Sequence, residues 1–522
     1  MQIYGLDEHF FVYRFIKYFN MYGLGISLLL GWMIHKYKKN TVFAQTDNCV
    51  QFAFLFSYSV SILVGAAYVL YPNYLDHLEP TVASLGLIFK EGLSIYPPLD
   101  EYTFHGLIYG PLLSEIQAIF QYFPFDAITN SKLPGFLSLL GVFAIAIRFF
   151  HTTLARGYLL ILLPFGAFIF WTRAEPLFLL LCMLSWVVTR GHGNLKWLVL
   201  GVIAGCASAI KLHGFMYVLP YVCMAWILNP CRGIKCFTLS CALLIVGGIL
   251  STLLCYGPDS VSIGNFISLL RMTSHHGVVY VLVEKNIVFG VLLLLPIWQI
   301  FRNGELSSNE KIAVGLITLN MAAVAFIGGK VGSGIHHMMP FILSNAAMIE
   351  IVMRDKELKN YEFYKYAFLI ISVYFIFSVI PKSVQNEIRN YQPSSQLEAK
   401  NELLQFAQRY PNILMAPTDE KRLQYSFTYL RVHLQAQNTL QLDTAAFMDL
   451  NYAGVTDQPL TNAIKNCQRP FLVTPREGLA FAILNPYTSE PLFSDATRIA
   501  FSQRYLKIEQ GNFFDVYMCK RS

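Results

Sequence analysis

The polar stretch YPNYLDHLEPTVASLGLIFKEGLSIYPPLDEYTFHGLIYGPLLSEI interrupts an otherwise apolar chain and carries the residues best suited to chemistry. Asp76 and Glu79 lie in it three residues apart, a spacing that puts both on one face of a helical turn. A carboxylate at a membrane surface is suited to take a proton from an acceptor hydroxyl, and partial burial lifts its pKa toward the working range. The pair fits equally well as interfacial acids, or as caps of a helix continuing through Val82 and Leu85. Further on, Asp100, Glu101 and His105 form a second polar cluster, fit for sugar hydroxyls or a metal, and also for a solvated face.

Cations recur in four other short polar segments. They are Arg173 in WTRAEP, Lys211 and His213 in IKLHG, Arg271 with His275 and His276, and Lys330 with His336 and His337 in GKVGSGIHHMMP. Gathered in one place, such groups would hold an anionic phosphate and stabilise it as it leaves. Taken singly, each fits a side chain snorkelling to the membrane surface. Lys211 is the sharpest of them, with no acid beside it in the sequence. The glycines before His336 would let backbone amides approach an anion. That segment lacks the Lys-Ser/Thr ending and strand–helix setting of a nucleotide-binding loop. The histidines keep no ligand spacing within one helix, so no metal and no cofactor is assigned.

The elements that must position these residues follow from composition. The chain has 522 residues, 55% hydrophobic, 15% aromatic and 14% charged, against about 25% charged in soluble proteins. Charge is scarce where lipid is the solvent. The net charge of +7 comes from basic residues in short loops, which excludes a nucleic-acid stripe and matches the cytoplasmic Lys/Arg bias of membrane proteins. No cleavable signal peptide is expected in the first twenty residues.

About twelve apolar stretches are expected to span: residues 21–35, 51–71, 133–150, 157–171, 176–189, 195–211, 215–228, 236–256, 287–301, 312–328, 339–353 and 365–381. Basic residues in alternate loops put the polar stretch on the outer side, provided residues 107–123 do not span. With Glu115, Gln117 and Gln121, that segment suits a helix lying in the interface. The expected fold is an all-α polytopic bundle over residues 1–381, followed by a small outer α/β domain over residues 382–522. Strands are predicted near residues 412–415, 470–474 and 513–519 and a helix over 401–409. Cys467 and Cys519, the two cysteines of this domain, pair if it is exported and otherwise stay as thiols.

The polar stretch resembles the first outer loop of the GT-C superfamily of membrane glycosyltransferases, which includes protein O-mannosyltransferases and lipid A aminoarabinose transferases. The likeness rests on Asp76 and Glu79 after a spanning helix, on Gly92, Ile95, Tyr96, Pro97 and Pro98, on Tyr109, Gly110 and Pro111, and on the interfacial segment that follows. In general plan it covers residues 51–340. It departs from the adjacent Asp–Glu pair of several members, since His77 and Leu78 intervene, which leaves the identity of the base open between Asp76 and Glu79. The resemblance implies an inverting sugar transfer from a polyprenyl-phosphate donor to a hydroxyl of a lipid, glycan or protein acceptor. Asp76 is then the favoured base, with Glu79 positioning a partner. Arg173, Lys211, His213, Lys330, His336 and His337 would hold the donor phosphate. Tyr96, Asp100, Glu101, His105, Tyr109 and Glu175 would line the acceptor or sugar. Membrane lipids are the expected surroundings, a bacterial inner membrane the expected setting, and the site and C-terminal domain would be periplasmic. The rival classes are a transporter or flippase for lipid-linked glycans and a non-catalytic lipid-binding scaffold. A transporter needs charged or broken midplane helices and usually two related halves, neither of which the sequence displays.

Overall fold

A computed structural model describes residues 24–34, 36, 43–229, 233–273, 277–302, 306–330, 333–353, 362–379, 393–419, 427–437 and 439–520. Helix dominates it, and among the described residues six helices are long and apolar enough to cross a bilayer. They are Thr46–Leu70, Ala127–Phe149, Ile234–Cys255, Tyr280–Arg302, Ser308–Ile327 and Ile335–Met353, with mean hydropathies from 1.2 to 2.2. Shorter apolar helices, among them Ala174–Thr189 and Leu195–Ile210, pack between them. In the segment Thr153–Ile169 the chain tightens into 3₁₀ turns around Pro164, which has no amide to donate.

Close packing within the bundle comes from small residues. A Cβ at Gly201, Gly205 or Gly247 would run into the facing helix, so Leu195–Ile210 and Ile234–Cys255 approach backbone to backbone. Burial separates the spans. Ile234–Cys255 is only 17% buried in its apolar window and presents Leu253 and Leu254 outward, whereas Ile335–Met353 is 94% buried among its neighbours.

The two ends of the bundle differ. At one end, basic side chains close helix C-termini, where the carbonyls lack partners. Arg190 Nη1 donates to Phe149 O at 2.9 Å and Arg156 Nε to Phe150 O at 2.8 Å. There too, buried Glu350 accepts from the His151 and Thr152 amides, both at 3.0 Å. The other end carries residues 71–126, whose helices Glu79–Lys90 and Pro111–Phe120 pack on each other. Pro80 and Pro111 stand in their first turns, where a missing amide is no loss. The ten residues of Pro111–Phe120 reach about 15 Å, half the hydrocarbon thickness, so this helix does not span.

On that end sits the C-terminal α/β unit. Its sheet is built from β1 (Leu414–Met415), β2 (Phe471–Pro475), β3 (Tyr505–Gln510) and β4 (Phe514–Cys519), in the order β1-β2-β4-β3. β1 pairs parallel with β2, and the other pairs are antiparallel. The helix Pro393–Arg409 precedes the sheet, and a disulfide joins Cys467 to Cys519 with their Cα atoms 5.9 Å apart. The expected domain boundary at residue 381 lies outside the described residues.

A buried ion pair seats this unit on the first loop. Arg431 lies 3.1 Å from Asp443 Oδ1 and donates to Ser84 Oγ at 3.0 Å. Thr81 donates to the same Asp443 oxygen at 2.7 Å, the Asp443 amide bonds Thr103 O at 2.8 Å, and Phe104 stacks on Phe447 at 4.1 Å.

Candidate active site

The site begins where the helix Phe43–Leu70 ends. Fully buried Lys132, from the first turns of Ala127–Phe149, donates to Tyr68 O at 2.9 Å and to Tyr71 O and Asn73 O at 2.6 Å each. A cation at a helix C-terminus satisfies carbonyls that have no partner within the helix. The chain is thereby turned into the Asp76–Glu79 segment.

Glu79 is wholly buried and its two oxygens are taken. Oε2 accepts from the Leu75 amide at 2.7 Å and the Asp76 amide at 2.8 Å. Oε1 accepts from the Thr172 amide at 3.0 Å and from the Tyr68 hydroxyl. Burial raises its carboxyl above the ordinary value, the Tyr68 bond pulls it back, and the charge of Asp76 adds to the rise. Glu79 therefore ties the first loop to the WTRAEP turn and offers no oxygen to an acceptor. Spacing alone leaves Glu79 a candidate base; in the structure both of its oxygens are committed to these donors.

Asp76 is the exposed member of the pair, its side chain 21% accessible. Oδ1 lies 3.2 Å from Arg173 Nη1 and accepts from the Leu78 amide at 3.0 Å, while Oδ2 lies 3.3 Å from His77 Nδ1. Burial pushes this carboxyl up, but the charges of His77 and Arg173 outweigh it and hold Asp76 well below the usual carboxylate range. Burial lowers His77, and the Asp76 charge more than compensates, leaving the imidazole raised.

From Asp76 a chain of contacts runs across the end of the bundle. Arg173, at the N-terminus of Ala174–Thr189, packs its guanidinium 4.3 Å from the Trp171 ring and donates to the Tyr109 hydroxyl at 3.4 Å. Its Nε lies 3.7 Å from Glu175 Oε2 and has no hydrogen-bond partner among the described residues. Glu175 Oε1 pairs with Lys211 Nζ at 3.0 Å and faces His336 Nε2 at 3.7 Å. Lys211 thus has an acid 36 residues away in sequence, which its local context does not reveal. Its ammonium also stands over the Tyr109 ring, 4.6 Å from the centre.

The Tyr-Gly-Pro motif has a physical reason here. The Gly110 amide donates to Ile210 O at 2.8 Å, and a Cβ at Gly110 would collide with Ala209 O, so only glycine brings Tyr109 under Lys211. Tyr96 fixes the same turn by donating to Tyr109 O at 2.6 Å.

Beneath Lys211 lies a small cavity lined by Glu175, Phe178, Tyr217, His336, His337 and Pro340, among others. His337 Nδ1 is 3.3 Å from the Tyr217 hydroxyl, and His336 stacks on Phe168 at 5.3 Å. His213 packs beside His337 at 5.3 Å, and its Nε2 is buried without a hydrogen-bond partner among the described residues. Lys330 is exposed and stands near enough for its charge to act on His213. No three His, Cys, Asp or Glu side chains gather as a metal-holding group among the described residues.

Other candidates fall elsewhere. Both His105 nitrogens are engaged, with the Thr103 hydroxyl at 2.8 Å and Ser94 O at 2.9 Å, so His105 braces the loop. Asp100 is exposed, and Glu101 borders a separate cavity with Tyr96 and Asn265. Arg271 is exposed on Ile263–Thr273, and His275 and His276 lie outside the described residues. The geometry adds residues that spacing missed: Tyr68, Lys132, Thr172 and Trp171, the last donating to Glu175 Oε2 at 3.2 Å. Trp171 and Thr172 stand beside Arg173 in the WTRAEP segment, whereas Lys132 reads simply as the edge of a span.

Compared with protein-family models and with curated proteins, the chain matches none.

Proposed function

We propose that this chain is an integral-membrane glycosyltransferase of the GT-C type, moving a sugar from a polyprenyl-phosphate donor to an acceptor hydroxyl. One observation carries the reading. Charged groups from four separate segments meet in a single network at one end of the bundle, with Asp76–Arg173 at 3.2 Å, Lys211–Glu175 at 3.0 Å and His336–Glu175 at 3.7 Å. Residues far apart in an apolar chain converge in this way at a site built for an anionic ligand.

In this reading Arg173, Lys211 and His336 seat the donor phosphate over the cavity that His337 lines. As the phosphate draws Arg173 away from Asp76, that carboxylate loses one of the two charges that depress it, His77 being the other, and gains basicity. Asp76 takes the proton of the acceptor hydroxyl as its oxygen attacks the anomeric carbon on the face opposite the phosphate. The carbon–oxygen bond to phosphate breaks, and polyprenyl phosphate leaves with the electron pair, held by Arg173 and Lys211. The anomeric centre inverts in one displacement, without a covalent sugar–enzyme intermediate. Tyr109 lies between the two cations and lines the sugar. The acceptor is a lipid, glycan or protein hydroxyl.

About twelve crossings, a bacterial inner membrane and a periplasmic C-terminal domain belong to the same proposal. The alternation of basic loops supports this topology, and the Cys467–Cys519 disulfide supports an oxidising compartment for the domain.

The test is release of polyprenyl phosphate by the full chain in detergent from a panel of lipid-linked sugars. Asp76→Asn is expected to slow turnover by about 10²–10⁴-fold while donor binding survives. Lys211→Ala is expected to weaken donor binding by about 1.5–3 kcal/mol. Full turnover by Asp76→Asn would remove the first loop from the mechanism.

A further inference from the structure

The first loop and the C-terminal domain enclose a small, partly open cavity beside the candidate base. His77 and Pro80 form its loop wall, with His77 Nδ1 3.3 Å from Asp76 Oδ2. The domain helix Thr444–Tyr452 contributes Thr444, Ala445 and Met448 to the domain side. Two contacts hold that helix to the loop: the Asp443 amide donates to Thr103 O at 2.8 Å, and Phe447 stacks on Phe104 at 4.1 Å. Among the described residues, no spanning helix contributes to the lining.

The walls offer hydroxyls and apolar surface rather than free charge. Thr418, Thr428, Tyr429 and Thr444 bring hydroxyls, and Pro80, Pro417, Met448 and Ile483 supply the apolar part. Arg431 also lines the cavity, but Asp443 neutralises it at 3.1 Å, and His77 faces Asp76. An ionic occupant would give up water and find no countercharge. Thr444 is more than nine-tenths buried, yet its Oγ1 has no hydrogen-bond partner among the described residues. Buried hydroxyls are ordinarily paired, so Thr444 calls for an occupant with polar groups of its own.

We propose that this cavity is a binding subsite for the terminal sugar of a neutral glycan, which serves as the acceptor. A sugar ring carries hydroxyls at its rim and C–H groups on its faces, and the lining answers both. The wall hydroxyls suit a ring with several partners to offer better than the single hydroxyl of a serine or threonine. An occupant held between loop and domain, with no spanning helix in its walls, needs no lipid anchor. Its role as acceptor rests on the transferase reading, because only that reading makes Asp76 a base; the binding of a neutral sugar does not. The choice of acceptor then belongs to the C-terminal domain.

The test is saturation-transfer NMR on the full chain in a detergent without sugar headgroups. The probes are a panel of neutral methyl glycosides and a set of short serine and threonine peptides. The wild type is expected to bind a glycoside. Thr444→Val, which keeps the shape and removes the hydroxyl, should weaken that binding by about 3–10-fold. Ala445→Leu, which fills the cavity, should abolish it, and Asp495→Asn, at an exposed acid, should leave it unchanged. In turnover, Thr444→Val should raise the KM for the bound glycoside while the KM for donor holds. A wild type that binds no glycoside would leave the cavity to water alone and overturn the proposal. Binding of the peptides alone, or equal glycoside binding by the wild type, Thr444→Val and Ala445→Leu, would overturn it too. Thr444→Val decides if Ala445→Leu does not fold. Glycoside binding that the variants lose, in a chain that releases no polyprenyl phosphate, would uphold the sugar site and overturn the transferase reading. Release of polyprenyl phosphate by a chain that binds no glycoside would do the reverse.

Discussion

Asp76 and Glu79 stand three residues apart yet occupy different surroundings, and their substitutions should read differently. In Glu79→Gln one oxygen becomes an NH₂ group facing either the Leu75 and Asp76 amides or Tyr68 and the Thr172 amide, donor against donor. The expected cost is about 2–3 kcal/mol of stability, seen as a lowered thermal midpoint in detergent. An unchanged midpoint would mean that the carboxylate is not the tie described. Glu115, on Pro111–Phe120, supplies a pH prediction, because burial pushes its carboxyl up to about 7. The folded state then holds a proton that the unfolded chain, titrating near the ordinary carboxylate value of 4.5, has released. This contribution to stability is fully present below about 4.5 and is lost as pH rises toward 7. Glu115→Gln should flatten the decline of thermal stability across that window, and an unaltered slope would count against it.

At the scale of elements, Lys132 links the end of one spanning helix to the start of another. Lys132→Met leaves three carbonyls without their donor and should destabilise the chain by about 2–3 kcal/mol, measurable by unfolding in detergent. Wild-type stability would show that water replaces the ammonium there. Lys132 also marks where sequence reading stops. Arg173, Glu175 and Lys211 were legible because a charge inside an apolar run needs a partner in lipid, so each draws attention to itself. Which partner it takes is set by helix packing, and nothing local to Lys211 points to Glu175. Lys132 sits at a span boundary, where lysine needs no explanation. Asp100, Glu101 and His105 belong to a loop polar enough to hide which of its groups are committed, and His105 proves to be fully engaged by its neighbours. The small α/β domain was legible from its alternating strands, but its helix Thr444–Tyr452 docks through one capping acid and one aromatic ring, a contact with no periodic signature.

For the whole molecule, the buried Arg431–Asp443 pair decides whether membrane bundle and C-terminal domain act as one body. Arg431→Met strands Asp443 without its cation and should cost about 3–5 kcal/mol, with faster proteolysis between the two parts. Adding Asp443→Leu should restore most of it, less about 1 kcal/mol for the lost helix cap. Equal losses in the single and double variants would argue that the pair does not hold the domain. A last consequence concerns how such a chain is made. Ile335–Met353 has the lowest mean hydropathy of the six long spans, 1.2, and the greatest burial. It carries Asn345, bonded to the Tyr158 hydroxyl at 3.2 Å, and Glu350, bonded to the amides of residues 151 and 152. Facing lipid alone, those groups would have no partners, so the segment leaves the insertion machinery only against a wall formed by earlier helices. Because His336 and His337 stand at its head, nascent chains halted before residue 335 have no floor beneath Lys211. If the network is the proposed donor site, it is complete only in the assembled bundle.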